Sequence, residues 1–159
     1  MLVRFDDTNP SKEKDDYSEA ILEDLKTLKI EWANLSHSSD YFDLTEEKAK
    51  FLIEKGLAYC DNTNMEQMLK ERLDGIKSVN RNKSIEENLE IFEKILKGKG
   101  VDHFLRAKIN MNAENKCMRD PVIYRINSTS HQRTIVKEGI AILTIKNYND
   151  QGNDVIIFP

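Results

Sequence analysis

Two adjacent carboxylates, Asp6 and Asp7, stand near the start of this 159-residue chain, between an apolar run and a helix-start signal. Leu2, Val3 and Phe5 have the character of a short buried strand. Asn9 and Pro10 mark a helix start, because proline at the first helical position gives up an N–H that has no acceptor within the helix. The pair therefore falls where a strand gives way to a helix. In open α/β sheets, small ligands bind in the crevice beyond the carboxyl ends of the strands. A carboxylate there can hold an ammonium group, and the free N–H groups of a helix start favour an anion. The same two residues can also simply cap the turn, and the local pattern leaves both readings open.

The elements that would position this pair are visible as periodicities. Tyr17, Ile21, Leu25 and Leu28 fall at helical spacing, with Glu13, Asp15 and Asp16 in the first turn, where carboxylates suit the helix dipole. Asp40 is the expected N-cap of a second helix with Phe42, Ala49, Leu52 and Ile53 on its inner face, ending at Gly56. A short strand over residues 57–60 follows. Met65, Met68, Leu69 and Arg72 predict a third helix with the methionines as core filler. Ser84-Ile85-Glu86-Glu87 is a capping box opening a fourth helix through Leu89, Phe92 and Leu96 to Gly98. The period then changes. Leu105, Ala107, Ile109 and Met111 alternate with Arg106, Lys108 and Asn110, which predicts a strand with one apolar and one basic face. Residues 112–115 read as a turn. Val122, Ile123, Tyr124 and Ile126 read as an antiparallel returning strand, with Pro121 at its start or at an edge.

With 39% hydrophobic and 33% charged residues, the composition is that of a globular protein rather than a disordered one. No apolar run approaches the roughly 18 residues of a membrane span, and no signal peptide is evident, so no membrane partner is expected. Cys60 and Cys117 lack C-x-x-C spacing, and His37, His103 and His131 are scattered. Reduced thiols of a cytoplasmic protein are expected, and no metal site. The net charge of −4 is uneven. Residues 1–69 hold 8 basic and 16 acidic side chains, net −8, whereas residues 70–125 hold 13 and 9, net +4. An anionic partner would therefore meet the middle of the chain.

The stretch Arg4-Phe5-Asp6-Asp7-Thr8-Asn9-Pro10-Ser11-Lys12-Glu13 resembles the R-F-D-D-T-N-P-x-K-E segment of glutamyl- and glutaminyl-tRNA synthetases of the archaeal and eukaryotic type, which are class I enzymes. Ser38-Ser39-Asp40-Tyr41-Phe42-Asp43, Leu52-Ile53-Glu54-Lys55-Gly56-Leu57-Ala58-Tyr59 and Ser84-Ile85-Glu86-Glu87-Asn88-Leu89 match further blocks in the family's order. Leu105-Arg106-Ala107-Lys108-Ile109-Asn110-Met111 and Cys117-Met118-Arg119-Asp120-Pro121-Val122-Ile123-Tyr124-Arg125 complete a series that extends to about residue 134. Lys70-Glu71-Arg72-Leu73-Asp74-Gly75-Ile76-Lys77-Ser78 resembles the compact glutamyl version of a loop that is longer in glutaminyl enzymes.

The resemblance implies an α/β fold: a partial Rossmann-like class I catalytic domain over residues 1–40, an α+β insert over 41–126 that receives the tRNA acceptor end, and a divergent tail over 127–159. It implies that Asp6 holds the α-amino group of glutamate, with Asp7 and Thr8 shaping the turn. No side chain here is implied as a catalytic nucleophile, because in this family the substrate carboxylate attacks ATP and positioning is the main contribution. Arg72, Arg81, Arg106, Lys108, Arg119 and Arg125 are the implied tRNA contacts. Arg106 and Lys108 are favoured as sharing one strand face; for Arg119, an internal salt bridge to Asp120 competes with direct RNA contact. The implied partners are glutamate, ATP with Mg2+, and tRNA(Glu).

The family's H-I-G-H-like turn upstream and K-M-S-K-S-like loop downstream have no counterpart in this sequence. The expectation is an internal fragment of a glutamate–tRNA ligase that is inactive in isolation. A glutaminyl-tRNA synthetase fragment, or a non-catalytic tRNA-binding module, is the alternative. After Thr134 the family's G-N-K-Y-x-V-Y-P-T-Y-D-F-like block is replaced by unrelated sequence. There the apolar runs 140–145 and 155–158 can pair as a hairpin, and the run 140–145 is expected to pack as a strand against the incomplete fold or to remain poorly ordered, with only local hairpin support.

Overall fold

A computed structural model describes residues 1–8, 15–100, 102–127, 140–142, 146–148 and 154–156. The helix start expected at Asn9 and Pro10, Glu13, the 131–134 segment, and residues 143–145, 157 and 158 of the tail runs lie outside the described residues.

The first unit is β1 (Leu2–Phe5), α1 (Asp15–Thr27) and β2 (Asn34–His37), with β1 and β2 paired in parallel from Leu2 against Asn34 to Phe5 against His37. A parallel pair needs a crossover, and α1 supplies it. The strand exists where the sequence places it, but it is not buried. Leu2 is 75% exposed and Val3 and Phe5 are half-buried. Among the described residues only two strands form this sheet, which leaves its faces largely open.

A 3-10 turn over Ser38–Tyr41 leads into α2 (Phe42–Glu54). Asp40 acts one turn earlier than expected. Its Oδ2 accepts from the His37 N–H at 2.8 Å and so caps the 3-10 turn, while Tyr41 occupies the N-cap position of α2. Gly56 follows α2 in the left-handed conformation, φ +67°, as the sequence predicts. Next come β3 (Ala58–Asp61), α3 (Met65–Asp74), a 3-10 turn over Val79–Asn82, α4 (Ile85–Leu96), β4 (Phe104–Ala107) and β5 (Val122–Asn127). The capping box of α4 is formed in both directions: the Ser84 N–H donates to Glu87 Oε2 at 2.8 Å, and the Glu87 N–H donates to Ser84 Oγ at 3.1 Å.

The strands β3, β4 and β5 are antiparallel neighbours, and β5 begins directly after Pro121. Ala49 and Ile53 of α2 and Phe92 and Ile95 of α4 pack with Ala58, Cys60, Leu105, Ile123 and Tyr124 of the sheet to form the core. Phe92 meets Tyr124 edge-to-face at 5.1 Å between ring centroids. β3 is at the sheet's edge, so the Cys60 N–H has no strand partner there. Asn88 of α4 takes its place: its Oδ1 accepts that N–H at 2.7 Å, while its Nδ2 donates to the Lys83 and Ser84 carbonyls.

Two expectations fail on this sheet. The strand predicted through Met111 ends at Ala107, with a register shift between Leu105 and Arg106. The pairing of residues 140–145 with 155–158 is also replaced, whereas the packing of the first run as a strand against the fold is borne out over Ile140–Ile142. β6 (Ile140–Ile142) pairs antiparallel with β5, extending the sheet to β3-β4-β5-β6, and β7 (Lys146–Tyr148) pairs instead with β8 (Asp154–Ile156). Strand β5 offers backbone donors and acceptors along its second edge, and β6 satisfies them.

Candidate functional site

At the carboxyl end of β1 the two aspartates separate by environment. Asp6 is exposed, whereas Asp7 is 6% exposed. Asp7 Oδ1 accepts from the Ser39 N–H at 2.9 Å, and its Oδ2 accepts from the Ser39 hydroxyl at 2.6 Å. The neighbouring β1 residues reinforce this junction. Phe5 stacks on His37 at 5.4 Å, and the Arg4 guanidinium lies 5.2 Å from the centroid of the Tyr41 ring. Thr8 is buried beside them. One carboxylate is thus engaged within the protein and the other faces outward, on the side where parallel strands end.

The sheet face opposite the helices holds a buried charge cluster that sequence alternation did not reveal. Arg106 is 0% exposed. Its Nη1 lies 2.8 Å from Asp61 Oδ2, its Nε donates to the Asp120 carbonyl at 2.7 Å, and its guanidinium lies 5.6 Å from the centroid of the Tyr59 ring. Asp120, also fully buried and at φ +44°, accepts from Arg81 Nε at 2.6 Å, from the Tyr59 hydroxyl at 3.3 Å and from the Ile109 N–H at 2.8 Å. Asp61 Oδ1 accepts from the Thr63 N–H, the Thr63 hydroxyl and Asn80 Nδ2. Burial opposes ionisation of Asp61, but the hydrogen bonds from Thr63, Arg106 and Asn80 outweigh it and hold the carboxyl down to about 2. Burial, reinforced by Asp120 and Asp61 against the opposing Arg106 charge, raises the Tyr59 phenol above its ordinary value, so it stays a donor.

This corrects the assignment of Arg106 to a basic outer face. Once a strand is flanked on both edges and covered on both faces, alternation distinguishes two buried environments rather than inside from outside. Arg106 occupies the polar one. Arg81, 12% exposed, is paired with Asp120. Arg119 does not pair with the adjacent Asp120. Instead its Nε donates to the Ala113 carbonyl at 2.7 Å, and its Nη1 donates to the carbonyls of Arg72 and Leu73 in the last turn of α3. Arg72 reciprocates, donating to the carbonyls of Arg119 and Lys116.

This clasp holds α3 in place of the methionine packing expected from sequence. Met65 is 69% exposed and Leu69 53%, while Met68 is half-buried. Gly75 ends α3 at φ +74°, and a Cβ there would lie 3.0 Å from the Met111 carbonyl oxygen, so only glycine lets the two segments meet. Of the six basic side chains marked by sequence, Arg125 is exposed and Lys108 half-buried. Among the described residues neither is held by a hydrogen bond or ion pair.

Residues 1–141 match the family described as tRNA synthetases class I (E and Q), catalytic domain. The chain belongs to this family. A probable cytoplasmic glutamate–tRNA ligase of Dictyostelium discoideum is 49% identical over 136 residues, covering 84% of this chain and 18% of that protein. The cytoplasmic glutamate–tRNA ligase of Saccharomyces cerevisiae is 48% identical over 137 residues, covering 84% and 19%. A probable cytoplasmic glutamate–tRNA ligase of Enterocytozoon bieneusi is 52% identical over 134 residues, covering 84% and 21%. The chain therefore spans about a fifth of the length of these relatives.

Among the described residues there is no group of three or more His, Cys, Asp or Glu side chains able to hold a metal ion, and no helix is long and apolar enough to cross a membrane. The described glycines with left-handed backbone, Gly56, Gly75 and Gly98, follow α2, α3 and α4 rather than forming a phosphate-cradling loop after β1.

Proposed function

We propose that this chain forms part of a cytoplasmic glutamate–tRNA ligase, in which residues 1–40 belong to a Rossmann-like catalytic fold and residues 41–126 form the insert that receives the tRNA acceptor end. The observation that carries this reading is the division of labour at β1. Asp7 is committed to Ser39, which leaves Asp6 as the outward carboxylate at the end of a parallel strand. The three relatives bearing the glutamate–tRNA ligase name support glutamate over glutamine as its ligand. Asp6 holds the glutamate ammonium by a charge-assisted hydrogen bond. ATP and its Mg2+ would be held by parts of the ligase other than the residues described.

On the insert, Lys108 and Arg125 are the side chains proposed to contact RNA, because neither is buried and, among the described residues, their charges meet no partner. Arg72, Arg81, Arg106 and Arg119 hold the surface in shape from beneath.

The experiment is a hybrid in which residues 1–134 replace the matching segment of the yeast cytoplasmic glutamate–tRNA ligase. Glutamate-dependent charging of tRNA(Glu) is expected, and D6A should abolish adenylate formation. A hybrid inactive although folded, or an active one unaffected by D6A, would overturn the reading. For the insert, K108A and R125A should each lower the slope of log affinity for acceptor-stem RNA against log salt by about one. A slope unchanged in the double variant would remove both from the interface.

A further inference from the structure

We propose that Asp7 is a positioning residue, and that its paired hydrogen bonds to Ser39 form a latch setting the place of the Asp6 carboxylate relative to α2. The inference rests on the ligase reading of the site and goes beyond it in assigning Asp7 and Ser39 a part in glutamate affinity.

The argument starts from how weakly the first unit is otherwise supported. β1 is one of two strands in its sheet among the described residues, with Leu2 exposed and Val3 and Phe5 half-buried, so little apolar packing fixes the height of its carboxyl end. Its contacts concentrate at that end. Phe5 lies on His37, Asp7 grips Ser39, and Arg4 covers Tyr41, so three alternate residues of the β2 exit and 3-10 turn meet three residues of β1 and its exit. The Asp7–Ser39 pair joins positions 32 residues apart, is buried, and uses both carboxylate oxygens. Two bonds from one side chain to the N–H and hydroxyl of one residue fix direction as well as distance. Asp6 is the next residue in the chain, so its backbone is fixed by the same grip. The 3-10 turn that carries Ser39 runs directly into α2, so the latch sets the Asp6 carboxylate against the first helix of the insert.

The latch and a direct role for the Asp7 charge make opposite demands on an isosteric change. In D7N the remaining carbonyl oxygen still accepts the Ser39 N–H, and the new amide donates to the Ser39 hydroxyl, so the geometry survives without the charge. In D7A both bonds are lost, and S39A loses one.

The test uses the hybrid ligase described above, with KM for glutamate and kcat measured separately. D7A should raise KM on the order of tenfold with kcat little changed, because the position of a ground-state binding group is disturbed. S39A should raise KM several-fold. D7N should recover most of the affinity lost in D7A, and D7A/S39A should be no worse than D7A, since both changes remove the same contact. A purely structural role would lower the active fraction, and hence apparent kcat, while leaving KM in place. That outcome, or D7N as impaired as D7A, or an unchanged KM in S39A, overturns the latch while leaving the ligase reading intact. An inactive wild-type hybrid overturns both.

Discussion

The β1–α1–β2 unit and the sheet of β3, β4 and β5 with α2 and α4 are held together in contrasting ways within one chain. In the second region an apolar core fills one sheet face and a buried charge cluster the other, so all four residues of β3 are buried. In the first, Leu2, Tyr17, Ile21 and Leu28 are exposed, and a two-stranded sheet offers little to cover them. Parallel sheets in α/β folds are normally covered on both faces. The difference teaches that stability is concentrated in the second region, and that the first draws its definition from the Ser39 junction.

The largest expected effect would break the stronger side of this comparison. Arg106→Leu leaves Asp61 buried without its cation and the Asp120 carbonyl without its donor. A loss of about 3–5 kcal/mol is expected in urea unfolding, the usual cost of stranding one partner of a buried pair. A loss under about 1 kcal/mol would mean that the apolar core alone holds the sheet.

Truncating one isoleucine in each region compares them directly. Ile53→Ala, in the core, should cost about 2–5 kcal/mol. Ile21→Ala, on the exposed face of α1, should stay within about 0.5 kcal/mol. Equal costs would show that the first unit is as tightly packed as the second.

A smaller effect is expected from acid. The Asp61 carboxyl lies at about 2 in the folded protein, below its ordinary value of about 4. The ionised form is therefore favoured by folding. Its contribution, about 2 kcal/mol, is fully present above pH 4 and is lost as pH falls through the folded value near 2. Urea midpoints measured from pH 5 to pH 2 should show this slope, and Asp61→Asn should remove its share of it. An undiminished acid slope in that variant would assign the titration to other carboxylates.

The sequence by itself determined the features that depend on near neighbours. The capping box at Ser84 and Glu87, the left-handed glycines after α2 and α4, the change of period at Phe104 and the strand start after Pro121 are each specified within a few residues. The order of family motifs also marked Asp6, the residue that faces outward at the end of β1.

Only the tertiary structure decided which charges face outward. Asp7 finds Ser39 at a separation of 32 residues, Arg81 finds Asp120 at 39, and Arg106 finds Asp61 at 45. A strand's alternation states that two faces differ, but not what covers each. Arg106, read as a surface cation, is buried because an aspartate on the neighbouring strand and a loop carbonyl compensate its desolvation. Met65 and Leu69 of α3 are exposed for the complementary reason. Arginine hydrogen bonds to main-chain carbonyls fix that helix, so its apolar residues are not required for its packing. The pairing of β6 with β5 belongs to the same class, since an open sheet edge accepts a strand by backbone geometry, which side-chain pattern encodes only weakly.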